Sequence, residues 1–71
     1  MDRTLPQQQL LLELLIMLGE IAVPRDSGGA LFWRTLSECR ASGWTTQLEV
    51  SPGILRVGIT ETGRRAARAG A

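Results

Sequence analysis

The stretch that decides the fold is Trp33-Arg34-Thr35-Leu36-Ser37-Glu38-Cys39-Arg40-Ala41-Ser42-Gly43-Trp44, with its continuation Ile59-Thr60-Glu61-Thr62-Gly63-Arg64-Arg65-Ala66-Ala67. In the first segment Phe32, Leu36 and Cys39 recur at spacings of four and three, which places them on one buried face of a helix spanning Ala30 to Ser42. Gly43 supplies the left-handed stop. In the second segment Thr60 is a good N-cap and Glu61 suits the first turn of a last helix. Arg64, Arg65 and Arg68 lie toward its C-terminal end, where cations suit the helix dipole, and Ala69-Gly70-Ala71 reads as a frayed tail.

Between these two segments lies a hairpin. Ser51-Pro52-Gly53-Ile54 carries Pro and Gly at the two central positions, which favours a type II turn. Pairing Ser51 with Ile54 sets Val50 against Leu55, Leu48 against Val57 and Thr46 against Ile59, so that the apolar partners share one side of the ribbon. Glu49 and Arg56 then become diagonal neighbours on the outer side. A type II turn twists against the strands it joins, which leaves a longer loop open as an alternative.

Upstream, Thr4 and Gln7 have capping-box spacing and Pro6 suits a first turn, so a helix begins there and runs to about Leu18, with Gly19 as its stop. At about 100° per residue, Leu10, Leu11, Leu14, Leu15, Met17 and Leu18 form the face expected to meet the core. Leu5, Leu12 and Ile16 form a second stripe on nearly the opposite side. Two apolar faces both need cover, and a homodimer through Leu5, Leu12 and Ile16 supplies it; the alternative is a plain apolar excess beneath the last helix. Ile21-Ala22-Val23 reads as a short strand closed by Pro24, and Arg25-Asp26-Ser27-Gly28-Gly29 as a turn in which Asp26 or Ser27 caps the next helix.

The whole chain, 1–71, is thus a single α+β domain in the order helix-strand-helix-strand-strand-helix. At 71 residues it buries only about 60% of the surface its unfolded form exposes, so a monomer is marginal. One Cys and no His rule out an internal disulfide and leave no ligand set for zinc or another transition metal. The missing His also removes the side chain most used for acid-base work near neutral pH and leaves Cys39, scattered carboxylates and Arg, so no enzyme and no cofactor is expected. Cys39, between Leu36 and Trp44, reads as a small core residue. No apolar run reaches the roughly 18 residues that would span a membrane. Asp2 and a single Arg3 make a poor positive flank for a secretion signal, so the protein reads as cytoplasmic.

The helix ending at Ser42-Gly43-Trp44, the hairpin and the Ile59-Thr60-Glu61-Thr62-Gly63-Arg64 segment together resemble the winged helix-turn-helix family over about Pro6 to Ala67. The resemblance implies DNA binding without a cofactor, in a small transcriptional regulator, and it places Trp44, directly after Gly43, in the core under the wing. The family's separate helix before the recognition helix has no room here, because only Glu20 to Gly29 is available and it contains Pro24 and two Gly. Carried over by position, Trp33, Arg34, Ser37 and Arg40 would enter the major groove, Arg56 in the wing would reach minor-groove phosphates, and Arg64 and Arg65 would contact the backbone.

The net charge of +1 does not by itself announce a nucleic acid. The distribution is more useful, since Arg34, Arg40, Arg56, Arg64, Arg65 and Arg68 outnumber the acids of the second half. Glu38 opposes this reading by setting a negative charge in the recognition surface. The alternative is an interaction module of the same fold, with Trp33 as the anchor for a protein partner.

Overall fold

The first helix starts at Pro6, where a missing N–H costs nothing, and stops at Gly19 with φ 86°. In the computed structural model, which describes residues 4–70, six elements follow in order: α1 (Pro6–Leu18), β1 (Glu20–Pro24), α2 (Gly29–Ala41), β2 (Thr45–Ser51), β3 (Ile54–Ile59) and α3 (Glu61–Gly70). The three strands form one antiparallel sheet in the order β1-β3-β2. This is the α+β order expected from the sequence, and no helix intervenes between β1 and α2. One sheet face turns Ile21, Val23, Val57 and Ile59 toward the helices, where Leu11, Leu12, Leu15, Leu36, Cys39, Trp44, Ala66 and Ala67 complete the core. The other face carries the row Ala22, Arg56, Leu48 outward.

The phase of α1 differs from the expected one. Its buried side is Gln8, Leu11, Leu12 and Leu15, whereas Leu10, Leu14, Met17 and Leu18 are exposed. The reason is that α1 is apolar nearly all round, so hydrophobicity alone sets its rotation weakly, and two glutamines set it instead. Gln8 Oε1 accepts the Leu5 N–H at 2.9 Å, while its Nε2 donates to Glu38 Oε1 of α2 at 3.1 Å. Gln9 Nε2 donates to the Ala67 carbonyl of α3 at 2.8 Å and to Glu13 Oε2 at 2.7 Å. Each amide thus ties α1 to another helix. The cap is Leu5 with Gln8, displaced by one residue from the expected Thr4 with Gln7; Thr4 donates to Gln9 Oε1 at 2.6 Å instead.

This rotation dismantles the expected dimer stripe. Leu12 is 0% exposed at the centre of the core, and only Leu5 and Ile16, on its borders, reach the surface. A side chain with no accessible surface cannot contact a second chain.

The hairpin keeps Ser51 opposite Ile54, but Val50 is bulged out, so the pairs beyond it are Glu49 with Leu55, Leu48 with Arg56, Gln47 with Val57 and Thr45 with Ile59. The bulge answers the twist problem of the Pro52-Gly53 turn, whose Gly53 takes φ 80°. A bulge adds right-handed twist where a type II turn withholds it. Its consequence is a one-residue slip that flips every side chain of β2 beyond it. Thr45 and Gln47 turn inward, and Leu48 becomes exposed beside Arg56. Glu49 therefore pairs with Arg25 at 2.9 Å rather than with Arg56, and Arg56 reaches Glu20 on β1 at 3.4 Å.

Thr60 joins the end of α2 to the start of α3. Its Oγ1 donates to the Gly43 carbonyl at 2.6 Å and accepts the Gly63 N–H at 2.9 Å, and its own N–H donates to the Trp44 carbonyl at 2.9 Å. Gly63 is required beside it, because a Cβ there would run into the Trp44 carbonyl and the Ile59 side chain. The helix continues through Gly70, which packs against Thr4 and Gln9, so the expected fraying is not seen up to that residue; Ala71 lies outside the described residues.

Candidate nucleic-acid interface

Helix α2 turns Thr35, Leu36 and Cys39 inward, which leaves Arg34, Ser37, Arg40 and Ala41 on its solvent side. Neither Asp26 nor Ser27 caps it. The N-cap is Gly28, with no side-chain cap bond, and the Ser27 hydroxyl donates back to the Pro24 carbonyl at 3.1 Å. The Ser27 carbonyl has a different use: Trp33 Nε1 donates to it at 2.6 Å. The Trp33 ring also meets Phe32 edge-on, with centroids 5.1 Å apart and planes at 82°. Trp33 is thus half-buried and held by its own chain at the edge of the core. Trp44 and Cys39 are buried as expected. Burial, with a contribution from the neighbouring Glu38 charge, pushes the Cys39 thiol up to about 11.

Glu38 does not occupy the middle of the exposed strip. It is half-buried and turned toward α1, where one carboxylate oxygen accepts from Gln8 and the other lies 3.5 Å from Arg34 Nε. The pairing uses the inner nitrogen of Arg34, whose side chain is 77% exposed.

The remaining cations are dispersed. Arg25 pairs with Glu49, Arg56 with Glu20, and both Arg65 and Arg68 approach Glu61 at 3.7 and 3.8 Å. Among the described residues, Arg40 and Arg64 have no carboxylate within bridging distance. Arg56 sits on the sheet face directed away from the helices, so the sheet separates it from α2. Of the residues expected to form one surface, the structure brings together Arg34, Ser37 and Arg40, folds Trp33 inward, and leaves Arg56, Arg64 and Arg65 on other elements.

The sequence reading turned the broad apolar side of α1 to the core, whereas the structure opens much of it to solvent. Leu10, Leu14, Met17 and Leu18 are exposed there, joined by Leu31 of α2. Between α1 and α2 lies an open groove of about 370 Å³ lined mainly by Leu10, Leu11, Leu14, Leu31, Phe32 and Thr35. The available signal was Leu31, which falls off the Phe32-Leu36-Cys39 stripe and needed cover of its own.

Among the described residues no cluster of acidic or sulfur ligands could hold a metal ion, and no helix is long and apolar enough to cross a membrane. No known protein family, no curated protein and no solved structure matches the chain.

Proposed function

We propose that this chain is a winged-helix protein that binds double-stranded DNA through α2, as a small regulator of transcription. The observation that carries the reading is the strip Arg34, Ser37, Arg40 on the solvent side of α2, with one oxygen of the half-buried Glu38 occupied by Gln8 and the other paired with Arg34. Residues spaced three apart follow one side of a helix, and two guanidinium forks with a hydroxyl between them suit phosphates and base edges in a major groove. The order of elements, with a hairpin after α2, agrees with this architecture.

The same geometry makes the contact small. Arg25, Arg34, Arg56, Arg65 and Arg68 are each paired with a glutamate, which leaves Arg40 and Arg64 unpaired among the described residues, with the largely exposed Arg34 beside them as the third cation for phosphate. Two or three phosphate contacts per chain correspond to a log-log salt slope of about −2 to −3. Fluorescence anisotropy of a labelled random-sequence duplex, titrated with protein at several salt concentrations, measures this slope. Substituting Arg34→Ala together with Arg40→Ala should remove most of the binding, and absence of binding by the wild type at the lowest workable salt refutes the reading.

A second reading is favoured by the apolar side of α1: the same fold serving as an interaction module that grips a protein. Trp33 is not its anchor, because the indole N–H is already bonded to Ser27 and the ring to Phe32.

A further inference from the structure

The exposed side of α1 has an internal order. Gln7, Leu10, Leu14 and Met17 follow one another at spacings of three, four and three, which is the seam spacing of helices that pack side by side. Leu10 is 69% and Met17 74% exposed, so the seam is open along its length. The spacing of the seam is symmetric about its own midpoint. Turned end for end, Leu10 falls on Leu14 and Gln7 on Met17, so a second copy laid antiparallel sets leucine against leucine at the centre and each Met17 beside the other copy's Gln7 at the ends.

We propose that α1 pairs with α1 of a second copy, antiparallel and about a two-fold axis near the middle of the helix, and that Leu31 of each chain flanks the contact. Two features favour a second copy over an unrelated partner. The symmetric spacing, with Leu10 and Leu14 exchanging places, lets one patch complement itself, as an isologous interface requires. The groove between α1 and α2 lies directly beside the Leu10-Leu14 ridge, so each chain offers both a ridge and a recess.

The area is of the required order. Leu10, Leu14, Met17, Leu18 and Leu31 leave roughly 500 Å² of apolar surface open, near the upper end for the largest patch of a monomer. With a polar rim it approaches the ~800 Å² per partner of a standard interface.

Sedimentation equilibrium across micromolar to near-millimolar concentrations tests the proposal. The wild type should show a monomer-dimer equilibrium. Leu10→Glu and Met17→Glu should each weaken association at least ~100-fold, the scale of a central anchor, with unchanged circular dichroism, because both side chains are largely exposed in the monomer. Ile16→Glu, on the other side of α1, should still dimerise. A wild type that remains monomeric throughout overturns the proposal, as does a Leu10→Glu chain that still dimerises. Leu10→Cys chains mixed with Leu14→Cys chains under oxidation should yield the mixed disulfide in preference to either symmetric one; preference for the symmetric products overturns the antiparallel register. None of these substitutions touches Arg34, Ser37 or Arg40, so DNA binding and dimerisation fail separately.

Discussion

Removing the Thr60 hydroxyl tests the joint on which the second half of the fold turns. Thr60→Ala deletes two hydrogen bonds at once, the cap that accepts the Gly63 N–H at 2.9 Å and the bond donated to the Gly43 carbonyl at 2.6 Å. Loss of a threonine N-cap costs about 1 kcal/mol. The donated bond contributes about 0.5–1 kcal/mol, at the low end because Gly43 is exposed and water can replace the donor. The expected loss is therefore about 1.5–2 kcal/mol. For a chain of this length, whose total stability is of order 4–10 kcal/mol, that is a large share and lowers Tm by roughly 8–15 °C. Urea unfolding followed by tryptophan fluorescence is a suitable assay, because buried Trp44 accepts the Thr60 backbone N–H and reports on the same place. Thr60→Ser keeps both bonds and should stay within about 0.5 kcal/mol of wild type. Thr60→Asp keeps the cap but cannot donate to Gly43, and should fall between the two. A Thr60→Ala chain as stable as wild type within about 0.5 kcal/mol would refute the joint.

Leu12→Ala should cost about 2–5 kcal/mol, because it opens a cavity at a fully buried site, whereas Leu5→Ala at the exposed helix start should cost under about 1 kcal/mol; thermal melts of the two separate a core role from a surface one. The Glu49 carboxyl is held below its usual range by the hydrogen bond from Arg25, then by the Gly53 N–H and the Arg25 charge. A depressed carboxylate stabilises the fold above its unfolded value near 4.5 and loses that contribution as pH falls through the folded one, so Glu49→Gln should flatten the acid side of the stability profile. Cys39, raised from 9.0 to about 11, should resist thiol reagents at pH 8 until the chain unfolds, and wild-type stability should decline between pH 9 and 11 where Cys39→Ala does not, because only the unfolded thiol ionises there.

Where one local rule decided the outcome, the sequence was legible. Gly19 and Gly43 end their helices, Trp44 and Cys39 are buried, and no separate helix forms between β1 and α2. Where two rules competed, it was not. Every apolar partner of the hairpin argued for one register, but the twist of the Pro52-Gly53 turn bulged Val50 and moved the strand by one residue. In α1 the broader leucine face was expected to meet the core and the Leu5-Leu12-Ile16 stripe a second chain, but the rotation came from bonds to residues far along the chain, Gln8 to Glu38 and Gln9 to Ala67. Those partners are 30 and 58 residues away, beyond the reach of any periodicity. The site suffered for the same reason: pairing Arg56 with Glu20 required the sheet order, and occupying one oxygen of Glu38 required the rotation of α1.

The rotation of α1 is thus the link between the two proposed surfaces. The Gln8 amide that fixes it occupies one oxygen of Glu38 and leaves only the other for Arg34, and the same rotation turns Leu10, Leu14 and Met17 to solvent. Gln8→Leu would remove the tie while preserving bulk in a buried position. Glu38, released, would be free to pair more fully with Arg34, so DNA affinity should fall even though no residue of the strip has changed. Association through α1 should weaken in parallel if the helix then rolls toward its more apolar side. Measured in one variant, a fall in DNA affinity with association intact would mean that Glu38 alone carries the effect. Loss of both would mean that one amide sets the phase of the helix and, through it, both surfaces.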